Sequence, residues 1–340
     1  MSGQAGRKSV RRIALLLVAA IGCVTAARVL AASVDAPLTL DRTIPLKDVS
    51  GRIDHLAIDL ARQRLIVAEL GNDTVEVIDI AAGEIVHRLT GLKEPQGVAY
   101  VPDSDLIVVA SAGDGTVRLF SGTTFEVAGV IPLGDDADNI RIDPSSGQII
   151  VGYGSGALAI IDPRTREIRG SVKLAAHPES FQLAPDSGKI FVNVPDAHEI
   201  AVVDRVSGHE VGSWKPDARS NFPMAVVDDG ALIASVFRSP ARLVMFRPAS
   251  GEIAATLPTY GDADDVFFDA KRHRLYISCG EGDVDVIGWD GKAATELNRI
   301  KTASGARTSF FVPQLDRLFV ASRAGWMGGD AAILVFRPSP

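Results

Sequence analysis

The chain has 340 residues, of which 46% are hydrophobic and 23% charged, with 32 glycines, 18 prolines and a formal net charge of −7. This is the composition of a globular domain, and it excludes disordered, collagen-like and disulfide-stapled chains. Two cysteines far apart and no C-x-x-C-H also exclude a cysteine-rich metal or iron–sulfur site and covalently attached haem.

Residues 1–32 read as a secretory signal peptide. Arg7, Lys8, Arg11 and Arg12 give a basic start, Ile13 to Ala27 an apolar run, and Val29-Leu30-Ala31-Ala32-Ser33 the small residues of a cleavage site. The run is shorter than the ~20 apolar residues of a membrane span. The expectation is therefore export, to the periplasm or the medium, with cleavage near Ala31 or Ala32. Gly22-Cys23 offers a lipoprotein processing site, for which Ala20 is a poor third residue upstream. Loss of residues 1–32 removes five basic residues and no acidic one, taking the formal charge from −7 to −12. That balance argues against a duplex nucleic acid partner, which asks for a dense basic face. Cys279 is then the single mature cysteine and reads as a buried, inert thiol.

Residues 33–340 form one domain of repeats. The segments Leu56-Ala57-Ile58, Val98-Ala99-Tyr100, Ile140-Arg141-Ile142, Phe181-Gln182-Leu183, Met224-Ala225-Val226, Val266-Phe267-Phe268 and Phe310-Phe311-Val312 recur with centres 42, 42, 41, 43, 42 and 44 positions apart. In each copy a short apolar strand leads to a turn such as Pro185-Asp186-Ser187-Gly188, and a β-rich run such as Leu65-Ile66-Val67-Ala68 follows. A third strand such as Thr74-Val75-Glu76-Val77-Ile78-Asp79 then leads through Gly-Glu turns to a fourth. Four antiparallel strands per repeat predict an all-β, seven-bladed β-propeller, because one small sheet cannot bury both faces and radial stacking lets each blade cover its neighbours. The seventh copy ends in a third strand, Ala332 to Phe336. Leu38 to Leu46 is therefore expected to pair into it and close the ring, removing an open sheet edge.

The units Thr74 to Asp79 and Glu94-Pro95-Gln96-Gly97-Val98-Ala99-Tyr100-Val101-Pro102-Asp103 resemble the YVTN-type repeat of exported YncE-like propellers. The resemblance covers nearly all of the mature chain. It departs in lacking a literal Tyr-Val-Thr-Asn, the nearest match being Phe191-Val192-Asn193. It implies an exported propeller and leaves the chemistry open, since related propellers include lactonases, streptogramin lyases and subunits of amine dehydrogenases.

In such a fold the loop entering each inner strand and the loop between the second and third strands emerge on one face, at the channel mouth. The residue three before each aligned centre gives a ring of Asp54, Gln96, Asp138, Glu179, Phe222, Asp264 and Thr308, with His55, Asn139, Ser180, Asp265 and Arg307 beside it. An acidic ring suits a hard cation such as Ca²⁺ or Mg²⁺, for which Asp54, Asp138, Glu179 and Asp264 are the candidate ligands, or a cationic or polyhydroxylated ligand. The same carboxylates also suit a structural role as turn caps, with Arg141 and Arg307 neutralising part of the charge. His55, His177, Glu179 and Arg307 are the candidate catalytic residues. His87, His198, His209 and His273 read as solvated surface positions. The loop Ser322 to Asp330 is longer than its counterparts and carries Trp326 and Met327 towards the same face, as a lid, a partner contact or the join to the N-terminal strand; Arg238 and Arg242 add a basic spot. The leading expectation is a binding scaffold for a small molecule or a periplasmic protein. The alternatives are a metal-assisted lactonase-like hydrolase or lyase, and a companion subunit of a periplasmic redox enzyme.

Overall fold

The computed structural model describes residues 36–185, 187–325 and 329–340. The expected signal peptide lies outside the described residues, as do Trp326 and Met327.

Seven four-stranded antiparallel sheets form, each built from consecutive strands except the last. The innermost strands of blades one to seven are Leu56–Asp59, Pro95–Val101, Ala137–Ile142, Phe181–Leu183, Arg219–Val227, Ala263–Asp269 and Ser309–Val312. The sequence pattern explains where each strand sits. Second strands such as Arg64–Glu69 are buried almost end to end, because both faces of the blade are covered. Outer strands such as His209–Trp214 are largely exposed along their length, because one side meets solvent. Buried apolar side chains form seven clusters, each drawn mainly from two consecutive blades. The core is thus a ring of interfaces, and each fully buried Val, Leu or Ile contributes about 1.5–3 kcal/mol.

Ring closure follows the expectation. The strand Leu38–Leu46 pairs antiparallel with Ala331–Pro338, from Leu38 opposite Pro338 to Leu46 opposite Ala331. Leu38, Ile44 and Leu46 enter the clusters on the two sides of blade seven. Side chains lock the join. Ser339 Oγ donates to the Ala36 carbonyl at 2.6 Å, and Arg272 Nε donates to the Ser339 carbonyl at 2.8 Å. Arg317 pairs with Asp41 at 3.1 Å. No helix among the described residues is long and apolar enough to cross a membrane.

Candidate functional site

The inner strands of blades one to six carry a β-bulge at their entrance, and the bulge aims the ring residues at the mouth. Pairing slips between Pro95 and Val98, Ala137 and Ile140, Asn221 and Met224, and Ala263 and Asp265. In blades one and four the bulge shows as a doubled contact. Asp54 N donates to Ala68 O while Ala68 N donates to His55 O, and Glu179 N donates to Asn193 O while Asn193 N donates to Ser180 O. Two residues thus oppose one, which re-aims side chains next to sites in many sheets. Adjacent bulges nearly touch. A Cβ at Gly97 would lie 2.0 Å from the Asp138 carbonyl, so the second and third blades approach this closely only with glycine there.

The pairing corrects one ring member. Phe310, rather than Phe311, stands opposite Phe319 as Phe267 stands opposite Tyr276, so the seventh position belongs to Arg307. Thr308 sits one step on, and its hydroxyl donates to the Ile53 carbonyl at 3.1 Å.

This correction changes the electrostatics. Arg307 Nε lies 3.0 Å from Asp264 and its Nη1 2.9 Å from Asp262. Arg238 lies 2.6 Å from Asp264 on the other side and stacks over Phe222 at 3.8 Å. Arg52 pairs with Asp54 at 2.6 Å and reaches Gln96 Oε1 at 3.5 Å. Arg242 pairs with Asp217. The mouth is therefore charge-mixed, with Asp54 and Asp264 compensated by arginines, and the expected basic spot at Arg238 and Arg242 is spent on ion pairs. Arg141 makes no direct ion pair among the described residues, and its expected neutralising role is exerted at a distance, on Asp265 and Asp138. Its Nη2 lies 3.3 Å from Ser180 Oγ and its Nη1 3.5 Å from Asn139 Oδ1. Asp265 is buried and accepts the Ser309 backbone N–H at 2.7 Å, a structural contact.

Asp138 holds the centre of what remains. Its carboxylate is 6% exposed, and Oδ1 has no hydrogen-bond donor among the described residues. His55 Nε2 approaches it at 3.9 Å from blade one, and His177 Nε2 at 3.8 Å from the loop entering blade four. His177 Nδ1 donates to the Gly154 carbonyl at 2.6 Å and lies 3.4 Å from Asp136, a residue the sequence did not single out. No group of three or more His, Cys, Asp or Glu side chains among the described residues is arranged to hold a metal ion. Below the mouth the channel opens into a cavity of about 470 Å³, lined by inner-strand residues including His55, Arg141, Asp265, Tyr100 and Phe268. Of the remaining histidines, His198, His209 and His273 are exposed. His87 is half-buried and stacks on Phe125 at 4.3 Å.

Protonation is set by burial first and neighbours second. Burial pushes the Glu179 carboxyl up to about 8, with Asp138 and Asp264 adding to it. Burial also raises Asp54 to about 7 against the pull of Arg52. It lowers His55, keeping that imidazole neutral. For His177 burial acts downward, but Asp138, the Gly154 carbonyl and Asp136 outweigh it and lift the ring to about 9. All three raised groups hold their protons more tightly in the fold, Asp54 only up to about pH 7 and Glu179 and His177 beyond it. The contribution of the last two to stability is complete below the ordinary values of 4.5 for Glu179 and 6.5 for His177, and is lost as pH climbs through about 8 and about 9. Between pH 6.5 and 8 the two act together, so the thermal unfolding midpoint is expected to fall across that window. Glu179→Gln flattens the slope; a midpoint that rises across the window contradicts the assignment.

No family model matches this chain, and no curated protein sequence matches it. Many solved structures do, two of them as follows. A chain of the Kuenenia stuttgartiensis hydrazine synthase superposes with a TM-score of 0.73 at 17% identity, covering 88% of this chain and 99% of that one. A chain from the crystal structure of a mitotic checkpoint complex superposes with a TM-score of 0.77 at 13% identity, covering 97% of this chain and 99% of that one. The chain is a seven-bladed β-propeller. At these identities the likeness is one of fold alone.

Proposed function

We propose that this propeller is an exported, YncE-like binding scaffold that takes a ligand at the mouth of its channel. One observation carries the reading: the buried Asp138 carboxylate, with an unpartnered oxygen, stands between imidazoles brought from two other parts of the ring. Leaving a buried acceptor unpaired costs about 1–3 kcal/mol, and such a group in a native fold calls for an explanation. A hydrogen-bond-donating ligand that reaches Asp138, His55 and His177 together supplies one. The two structural neighbours are named for an enzyme and for a protein assembly, so the scaffold itself does not decide between roles.

The test is a thermal-shift screen of chemically sorted small molecules against the wild type and Asp138→Asn. A compound that stabilises the wild type is expected to lose about ten-fold or more in affinity in the variant, since hydrogen bonds to charged groups are worth about 1.5–3 kcal/mol. Hits that bind both proteins equally would remove Asp138 from the site.

The opposed shifts of His55 and Glu179 favour a second reading, a lactonase-like hydrolase or lyase at the same mouth. An imidazole lowered and a carboxyl raised at one channel mouth supply a base and an acid to a bound substrate, and Arg307 and His177 would stabilise developing negative charge. Assistance by Ca²⁺ or Mg²⁺ belongs to this reading. Chelator-sensitive turnover of a lactone, abolished by Glu179→Gln at unchanged stability, would favour it over binding alone.

A further inference from the structure

We propose that the ligand is a small carboxylate with a flat apolar body, its carboxylate held by Arg141 and its body laid against Phe267 and Phe310 across the channel. This rests on the channel mouth being the ligand site and names the chemistry the channel takes.

One level of the channel wall is polar on one side and aromatic on the other. The residues directly opposite Ile66, Val108, Ile150, Phe191, Ala234, Tyr276 and Phe319 occupy the same place in the seven blades. Blades three and four present Arg141 and Gln182 there, while blades six and seven present Phe267 and Phe310 on the far side. The other three blades present alanines, Ala57, Ala99 and Ala225, which leave room. All of them line the cavity of about 470 Å³, a size within the range of small-molecule sites. The wall is thus polar on one side and aromatic on the other, with space between.

Arg141 lacks a carboxylate partner. Arg52, Arg238 and Arg307 are each engaged by an aspartate at 2.6–3.0 Å, whereas Arg141 donates to the Ile140 carbonyl at 2.8 Å and has only long contacts to Asn139 and Ser180. The carboxylate that faces it across the channel, Asp265, is occupied by the Ser309 N–H, and burial pushes it well above the usual carboxylate range. Asp265 and Asp138 act on this guanidinium only at a distance and the Phe181 ring lies 5.6 Å from it, so its planar donors are left without a directly paired carboxylate and match one on a ligand. Opposite it, Phe267 and Phe310 meet edge to face at 5.8 Å and 89°, which offers a ring surface for an aromatic or other flat group. Gln182 donates to the Met224 carbonyl at 2.8 Å, so its position is fixed.

The test is calorimetric titration of the full mature chain with phenylacetate, phenylacetamide and phenethylamine, which share a body and differ in head group. Phenylacetate is expected to bind, and the neutral and cationic analogues to bind about ten-fold or more weakly. Arg141→Gln should erase that preference, and Arg141→Lys should keep part of it. Equal binding of phenylacetate and phenylacetamide by the wild type, or no binding of either, overturns the inference without needing a variant. Asp138→Asn separates this inference from the one it rests on. A compound lost in Asp138→Asn but bound equally by Arg141→Gln leaves the mouth as the site and overturns the carboxylate reading. Phenylacetate carries no donor for Asp138, so binding that needs Arg141 upholds the carboxylate reading whether or not Asp138→Asn changes it, and the role of Asp138 is judged on donor-bearing ligands alone.

Discussion

Deletion of Leu38–Leu46 is expected to abolish the cooperative thermal transition. Without that strand, Ala331–Pro338 loses a paired neighbour along eight register positions and becomes an exposed sheet edge. Leu38, Ile44 and Leu46 leave the clusters on both faces of blade seven, so the damage reaches the interfaces with blades one and six. A ring cannot localise such a loss, because each blade is covered only by its two neighbours. A gentler probe is Ile44→Ala, where a side chain 1% exposed is truncated. It should cost about 2–5 kcal/mol in denaturant unfolding. A deletion variant that melts at the wild-type temperature would show that the N-terminal strand does not close the ring.

The second large effect is expected at Asn193, the asparagine of the near-match to the YVTN unit. It is 0% exposed. Its Nδ2 donates to the carbonyls of Phe222 and Pro223 at 3.0 and 3.1 Å, and its Oδ1 accepts from Asn221 Nδ2 and Ser235 Oγ at 2.9 and 3.0 Å. One amide of blade four thus satisfies both carbonyls of the bulge in blade five. Asn193→Leu keeps the branched shape, strands the Phe222 and Pro223 carbonyls and the Ser235 hydroxyl, and leaves the Asn221 amide with its bond to the Glu199 carbonyl alone. Each unsatisfied group costs about 1–3 kcal/mol, partly relieved by relaxation, so about 3–5 kcal/mol is expected in urea unfolding. A loss under about 1 kcal/mol would mean that water replaces the side chain and that the network is not structural.

Much of the fold was legible because strand period, turn chemistry and a fixed repeat length all give the same answer. The site was legible in part, since counting back from each strand centre reached the ring position in six of the seven blades. It missed in blade seven because Phe310-Phe311-Val312 is apolar throughout, and a run without alternation does not fix register. What the sequence could not supply was pairing. Asp264 meets Arg238 and Arg307 across 26 and 43 positions of chain, so a tally of acidic residues read as an anionic mouth when the fold delivers a mixed one. Asp136, placed by a loop between blades, carried no signal beyond its neighbour Asp138. Arg141 was visible, but only the geometry shows that it lacks a carboxylate partner.

Ligand binding at the channel mouth through Asp138 is open to native mass spectrometry of the chain purified without chelator, in parallel with Asp138→Asn. A small molecule is expected to be retained by the wild type and absent from the variant, with both proteins equally folded. A wild type that carries nothing and a variant that behaves identically would contradict it, and would return Asp138 to a purely structural place in the bulge of blade three.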